Sequence, residues 1–147
     1  MKRIISLCLL IISLSVISFA REWSSIQMCD DMSETIQTFY RSYVINKADT
    51  PKVDSLLTLY CTVELKNVVM EALNDDDYDF VLNGCGGCII DEKTVFVTKQ
   101  SPKYKVTFKI PKYPVSSGLA TVTVYVKVNT QGRISSIIRP SDNYEVP

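Results

Sequence analysis

The chain has no histidine, and that absence removes a large group of mechanisms. No Ser–His–Asp or Cys–His nucleophile can be assembled, nor any His-ligated metal. An enzyme made from these residues would have to work with Asp, Glu, Tyr, Lys or Cys. A phosphate-cradling glycine loop is missing as well, and no stretch carries the ligand spacing of a strong metal motif, so neither a metal nor a cofactor is expected. Net charge is also missing, because 16 Lys and Arg balance 16 Asp and Glu. Dense Arg/Lys tracts interleaved with aromatics, the mark of a nucleic-acid reader, do not occur, so nucleic acid is not an expected partner. There is no internal repeat, and no low-complexity tract beyond the opening residues.

Those opening residues read as a leader. Lys2-Arg3 is a basic start, Ile4 to Phe19 is almost wholly Ile, Leu, Val, Ser and Phe, and Ser18-Phe19-Ala20 offers small residues where a signal peptidase reads. A signal peptide over residues 1–20, cut after Ala20, is the expectation. The alternative, an uncleaved anchor, has an apolar run slightly short for a span. A lipoprotein would need a Cys closing that run. Cys8 lies inside it, and Cys29 follows the polar Ile26-Gln27-Met28. Residues 21–147 are then expected to be one periplasmic or secreted domain, with no membrane attachment after cleavage, and long enough to bury a core.

Charge is segregated within that domain. Residues 21–92 hold 5 basic and 14 acidic residues, a net −9, while residues 93–147 hold 9 basic and 2 acidic, a net +7. One account is that the two halves attract and pack, with lysines keeping one surface soluble. A sharper account is a basic surface that meets an anionic partner.

Periodicity divides the chain at the same place. Asp30 and Asp31 can cap a helix to about Asn46, whose apolar positions Met32, Ile36, Phe39, Tyr40, Tyr43 and Val44 fall on one face. Pro51 behind Thr50 opens a second helix carrying Val53, Leu56, Leu57 and Tyr60. Thr62 caps a third, with Leu65, Val68, Val69, Ala72 and Leu73 along one side. Strands follow at about Val95–Lys99, Tyr104–Ile110, Leu119–Asn129 and Gly132–Arg139. In Tyr104 to Ile110 and Ala120 to Val128 the even positions are apolar and the odd ones mostly Lys or Thr, giving each strand a dry face and a wet face. The expectation is an α+β fold, with three N-terminal helices packed on a curved antiparallel sheet of about four strands.

At these residues the chain resembles a known type. Thr38-Phe39-Tyr40-Arg41-Ser42-Tyr43-Val44, Tyr60-Cys61-Thr62-Val63-Glu64-Leu65, Asp77-Tyr78-Asp79-Phe80 and Gly132-Arg133-Ile134-Ser135-Ser136-Ile137 look like an uncharacterised family of small exported bacterial domains. That family is similar in fold to the nuclear-transport-factor-2-like, or cystatin-like, superfamily. The resemblance implies helices held in the hollow of a curved sheet, and no assigned activity. The Cys-Gly-Gly-Cys loop departs from the pattern.

Four cysteines lie beyond the leader: Cys29, Cys61, Cys85 and Cys88. An even count in an oxidising compartment favours disulfides, with three pairings open. Cys85-Gly86-Gly87-Cys88 could instead be a redox pair, but such pairs sit between a strand and a helix, and this loop leads into strands. Zinc held by all four thiols and free thiols are the remaining readings. Asp75, Asp76, Asp77 and Asp79 begin like a calcium loop, but Phe80 and Gly86 stand where Gly and Glu are required. A solvated acidic loop, with weak cation binding left open, is the expectation.

Tyr40, Tyr43, Tyr60 and Tyr104 are candidates to line a pocket between helices and sheet. In some members of the superfamily an Asp and a Tyr perform proton transfer there, whereas a buried Tyr is more often core. Lys105, Lys109, Tyr125 and Lys127 on the wet face are candidates for contact with a partner or for a homodimer. The reading is an exported domain that binds a small ligand or a protein without catalysis. The rival is a small isomerase- or hydrolase-like enzyme using a pocket Asp or Glu with a Tyr.

Overall fold

A computed structural model describes residues 32–75, 78–112, 118–140 and 145–146. The leader over residues 1–20, the caps Asp30 and Asp31, Cys29, Asp76 and Asp77 lie outside the described residues. Three helices come first: α1 (Met32–Asn46), α2 (Thr50–Tyr60) and α3 (Val63–Asp75). A 3-10 turn, Glu92–Thr94, leads into β1 (Phe96–Gln100), β2 (Lys103–Pro111), β3 (Leu119–Val128), β4 (Ile134–Ile138) and β5 (Glu145–Val146). The strands form one antiparallel meander in the order β1-β2-β3-β4-β5. The architecture is therefore α+β, as the periodicity indicates, with a short fifth strand that the alternation does not announce. Among the described residues, no helix is long and apolar enough to cross a membrane.

Caps start α2 and α3. Asp49, rather than Thr50, caps α2, its carboxylate accepting from Lys52 N at 3.2 Å, so Pro51 sits inside the first turn, where its missing N–H is harmless. Thr62 Oγ1 accepts from Leu65 N at the start of α3. The centres of the expected stripes are buried, namely Ile36, Phe39, Tyr40, Tyr43 and Val44 on α1, Val53 and Leu57 on α2, and Leu65, Val69 and Ala72 on α3, while Met32, Leu56, Tyr60, Val68 and Leu73 at their margins are half-buried.

The sheet supplies the other wall. Tyr104, Val106 and Phe108 of β2, Val124 and Val126 of β3, and Ile134 and Ile137 of β4 are all buried. The register places Phe108 opposite Val122, Val106 opposite Val124, Tyr104 opposite Val126 and Val126 opposite Ile137, so these side chains share one face. Burying each large one is worth roughly 1.5–3 kcal/mol, which sets the orientation of the sheet. Lys105 and Lys109 fall on the opposite face, Lys105 half-buried and Lys109 exposed. On β4 both faces are closed, since Ser136 and Ile138 are buried as well. A register shift between Lys127 and Val128 leaves Ser135 unpaired there.

The helices are tied to the sheet at named points. Gln37 Nε2 donates to Val95 O at 3.1 Å, anchoring α1 to the start of β1. Thr62 N donates to Ile134 O at 2.9 Å, and Cys61 forms a parallel bridge with Ile134. Arg133 Nη1 donates to Thr58 O at 2.8 Å and Cys61 O at 3.1 Å, which satisfies carbonyls at the end of α2.

Candidate functional site

Two regions carry chemistry: a buried cluster where α1 meets the loop of residues 79–88, and the outer face of the sheet.

The cluster starts from Asp79. The sequence reading places it in a solvated acidic loop, but the structure turns it inward, to 2% exposure. The reason is local. Its carboxylate Oδ1 accepts from Leu82 N at 3.0 Å and from the Tyr43 hydroxyl at 3.1 Å, and Val81 N adds a further backbone donor. Asp79 O accepts from Gly84 N at 2.7 Å, which closes the loop. A side chain of this kind caps its own turn and lets Val81 and Leu82 enter the core. Burial still raises the Asp79 pKa, because three donors and the nearby Lys47 offset only part of the desolvation. The same burial, with Asp79 beside it, raises Tyr43 far above the ordinary phenol value, so the proton stays on Tyr43 and is donated to the carboxylate.

Lys47, at the end of α1, completes the clasp. Its Nζ donates to Gly86 O at 2.6 Å and also to Cys88 O. A Cβ at Gly86 would stand 3.0 Å from Asp79 Cβ, so the glycine lets the loop lie directly on the carboxylate. Cys85 is pushed up to about 11, first by burial and then by Cys88 beside it. A thiol held that high supplies little thiolate at neutral pH, which is the opposite of a reactive redox cysteine.

The tyrosine candidates separate into two groups. Tyr40, Tyr43 and Tyr60 surround the Phe39 ring at centroid distances of 5.3, 5.8 and 5.5 Å. Tyr40 and Tyr43 are fully buried and Tyr60 is half-buried. The Tyr40 hydroxyl has no hydrogen-bond partner among the described residues, and burial, with Cys61 and Asp79 nearby, raises its pKa strongly. Tyr104 is buried on the inner face of β2, opposite Val126 and Lys99. The aromatic contacts thus bring three of the four together through Phe39.

Three disulfide candidates are described, and Cys61, Cys85 and Cys88 are all free thiols. Cys61 is buried and pushed up to about 12 by desolvation, with Arg133 pulling the other way. Cys85 and Cys88 are half-buried neighbours in one turn. No group of three His, Cys, Asp or Glu able to hold a metal occurs among the described residues.

The outer face is set by register. Phe96 and Thr98 of β1, Lys103, Lys105, Thr107 and Lys109 of β2, and Leu119, Thr121, Thr123, Tyr125 and Lys127 of β3 share it. Lys105 lies between Thr98 and Tyr125, and Lys103 Nζ stands 5.9 Å from the centre of the Tyr125 ring. All four partner-surface candidates, Lys105, Lys109, Tyr125 and Lys127, therefore fall on this face. Phe96 and Leu119, each 57% exposed, add apolar surface that the sequence reading does not single out. No acidic residue occurs at any position of β1, β2 or β3.

Comparison with known proteins bears on the fold. No protein-family model matches the chain, and no curated protein sequence matches it. The chain is similar to the crystal structure of a protein of unknown function from Bacteroides thetaiotaomicron. The TM-score is 0.60 and the identity 22%, over 82% of this chain and 98% of the other. That likeness places the three helices and the antiparallel sheet in a fold that has been seen in a crystal.

Proposed function

We propose that this is an exported, non-catalytic binding domain whose outer sheet face engages an acidic protein surface. The observation that supports it is the composition of that face: four lysines, Tyr125 and the exposed Phe96 and Leu119, on three strands that hold no carboxylate. Cations around an aromatic and apolar surface fit a partner of opposite charge, and electrostatics of this kind sets orientation and on-rate. Among the described residues, the buried stripes of α1, α2 and α3 pack on the opposite face of the sheet. Helices layered on one side of an antiparallel sheet also favour the cystatin-like kinship suggested by the sequence motifs.

The rival, proton transfer by an acid and a tyrosine, has its residues in Asp79 and Tyr43. Both are buried, and the carboxylate is occupied in holding the loop, so the binding reading is preferred. The test uses immobilised poly-L-glutamate as the acidic probe. The chain beyond the leader is expected to be retained, although its net charge is −2. Salt should release it, because screening weakens exposed charge pairs. K105E/K109E should bind at least roughly tenfold more weakly, equivalent to ~1.4 kcal/mol. K52E/K66E makes the same change in net charge on α2 and α3, at surface ion pairs worth under about 1 kcal/mol, and should bind as the wild type does. Equal loss in both variants would reduce the effect to bulk charge and remove the proposed surface.

A further inference from the structure

We propose that Cys85 and Cys88 close an intramolecular disulfide across the Gly86-Gly87 turn, locking the loop of residues 79–88 against α1. The geometry carries this. Cys88 N donates to Cys85 O at 2.9 Å, so the four residues form a hydrogen-bonded turn, whose ends lie within about 7 Å between Cα atoms. Disulfides span Cα separations of roughly 4.4–6.8 Å. The two thiols lie near enough for Cys88 to help raise the Cys85 pKa. Lys47 holds the carbonyls of Gly86 and Cys88, and Gly86 lies against Asp79, so the turn is held in this shape before any bond forms. Gly87 and Ile89 on either side of Cys88 are exposed, which gives an oxidant access. Cys61 sits elsewhere, buried and bridged to Ile134, with Arg133 donating to its carbonyl. Of the pairings left open by the sequence, the structure thus favours Cys85 with Cys88.

The step is a two-electron oxidation by a small-molecule disulfide such as glutathione disulfide. One cysteine thiolate attacks the oxidant and forms a mixed disulfide, expelling the first glutathione thiolate. The second cysteine thiolate then attacks the mixed disulfide and expels the other. Two cysteine thiols become one S–S bond, and the oxidant becomes two glutathione thiols that take up both protons. Cys85, its pKa pushed up to about 11, is a slow nucleophile at neutral pH, and the turn already held by Lys47 and Asp79 is what the bond would lock.

The experiment equilibrates the reduced full chain with glutathione disulfide, alkylates it and maps the tryptic peptides. Residues 67–93 form one tryptic peptide containing both Cys85 and Cys88, and Cys61 falls in the preceding one, residues 53–66. The expected product is the 67–93 peptide lighter by two hydrogens and unalkylated, with the 53–66 peptide still alkylated. Oxidation should raise Tm by about 5 °C, a modest shift because the closed loop is short. C85S/C88S should fold, as circular dichroism would show, and lose the oxidant-dependent rise. The proposal is overturned if the 67–93 peptide keeps both alkylations, carries glutathione on both sulfurs, or is linked to another cysteine peptide. Acceleration of insulin reduction that depends on Cys85 would overturn the lock in favour of an exchange catalyst. None of these outcomes involves binding by the sheet face, so the two proposals fail separately.

Discussion

Asp79 shows how one side chain can set a loop and leave a pH signature. Its folded pKa is raised by burial above the ordinary value of 3.8. The folded chain therefore binds this proton more tightly than the unfolded chain does. The resulting stabilisation is full below the unfolded pKa and is lost as pH rises through the folded one. Asp79→Asn keeps an oxygen for Leu82 N and the Tyr43 hydroxyl but cannot ionise. Subtracting its urea-unfolding free energy from that of the wild type isolates the group. The wild type should gain on the variant as pH falls through the carboxylate range, and a flat or reversed difference would contradict the assignment. Asp79→Ala strands all three donors, Leu82 N, Val81 N and the Tyr43 hydroxyl, and should cost about 1–3 kcal/mol at neutral pH. The neighbouring glycines give a second comparison. Gly84 has φ +78°, and a Cβ there would stand 2.9 Å from the Tyr78 ring, whereas a Cβ at Gly87 meets nothing within 4 Å. Gly84→Ala should destabilise by about 1–2 kcal/mol, and Gly87→Ala by much less, in the same denaturant measurement.

Elements were legible wherever periodicity decides burial. The centres of the stripes on α1, α2 and α3, and the central even positions Tyr104, Val106, Phe108, Val124 and Val126 of β2 and β3, are buried as their spacing requires, while Ile110, Ala120, Val122 and Val128 nearer the strand ends are half-buried. β4 did not read as a simple alternation because both of its faces are closed, and β5 has only two residues from which to draw a pattern. The buried clasp was largely hidden for a different reason. Lys47 meets Gly86 and Cys88 across about forty residues of sequence, and Asp79 stands in a run of acids whose composition says solvent. The available signal was the apolar Val81-Leu82 just beyond Asp79, the arrangement of a capping carboxylate ahead of a buried turn. Arg133 was equally silent, as its partners lie on α2. Its two hydrogen bonds join the β3–β4 hairpin to the end of that helix. Arg133→Ala should cost about 1 kcal/mol. Arg133→Lys should recover only part of this, because a single ammonium lacks the guanidinium fork. Chemical denaturation of the three proteins would rank them.

At the scale of the whole molecule, the segregation of charge acquires a direction. The two described ion pairs, Lys52–Asp49 and Lys66–Asp54, lie within the helical half. Lys103, Lys105, Lys109 and Lys127 stand on the side of the sheet away from the helical layer. Register, which alternates side chains across the sheet, is what puts them there. The same placement bears on self-association. Two copies meeting outer face to outer face would bring both sets of lysines together, with no carboxylate from β1, β2 or β3 to separate them. Like charges opposed across an interface cost several kcal/mol, and the cost is greatest where salt is lowest. Sedimentation velocity at low salt should therefore show no dimer formed through this face. If one exists, raising the salt should strengthen it, and K105E/K109E mixed with wild type should pair better than either protein alone. A dimer that is tight at low salt and is broken by K105E/K109E would mean that carboxylates from elsewhere in the chain reach the sheet. The acidic partner of this face would then be a second copy of the same protein.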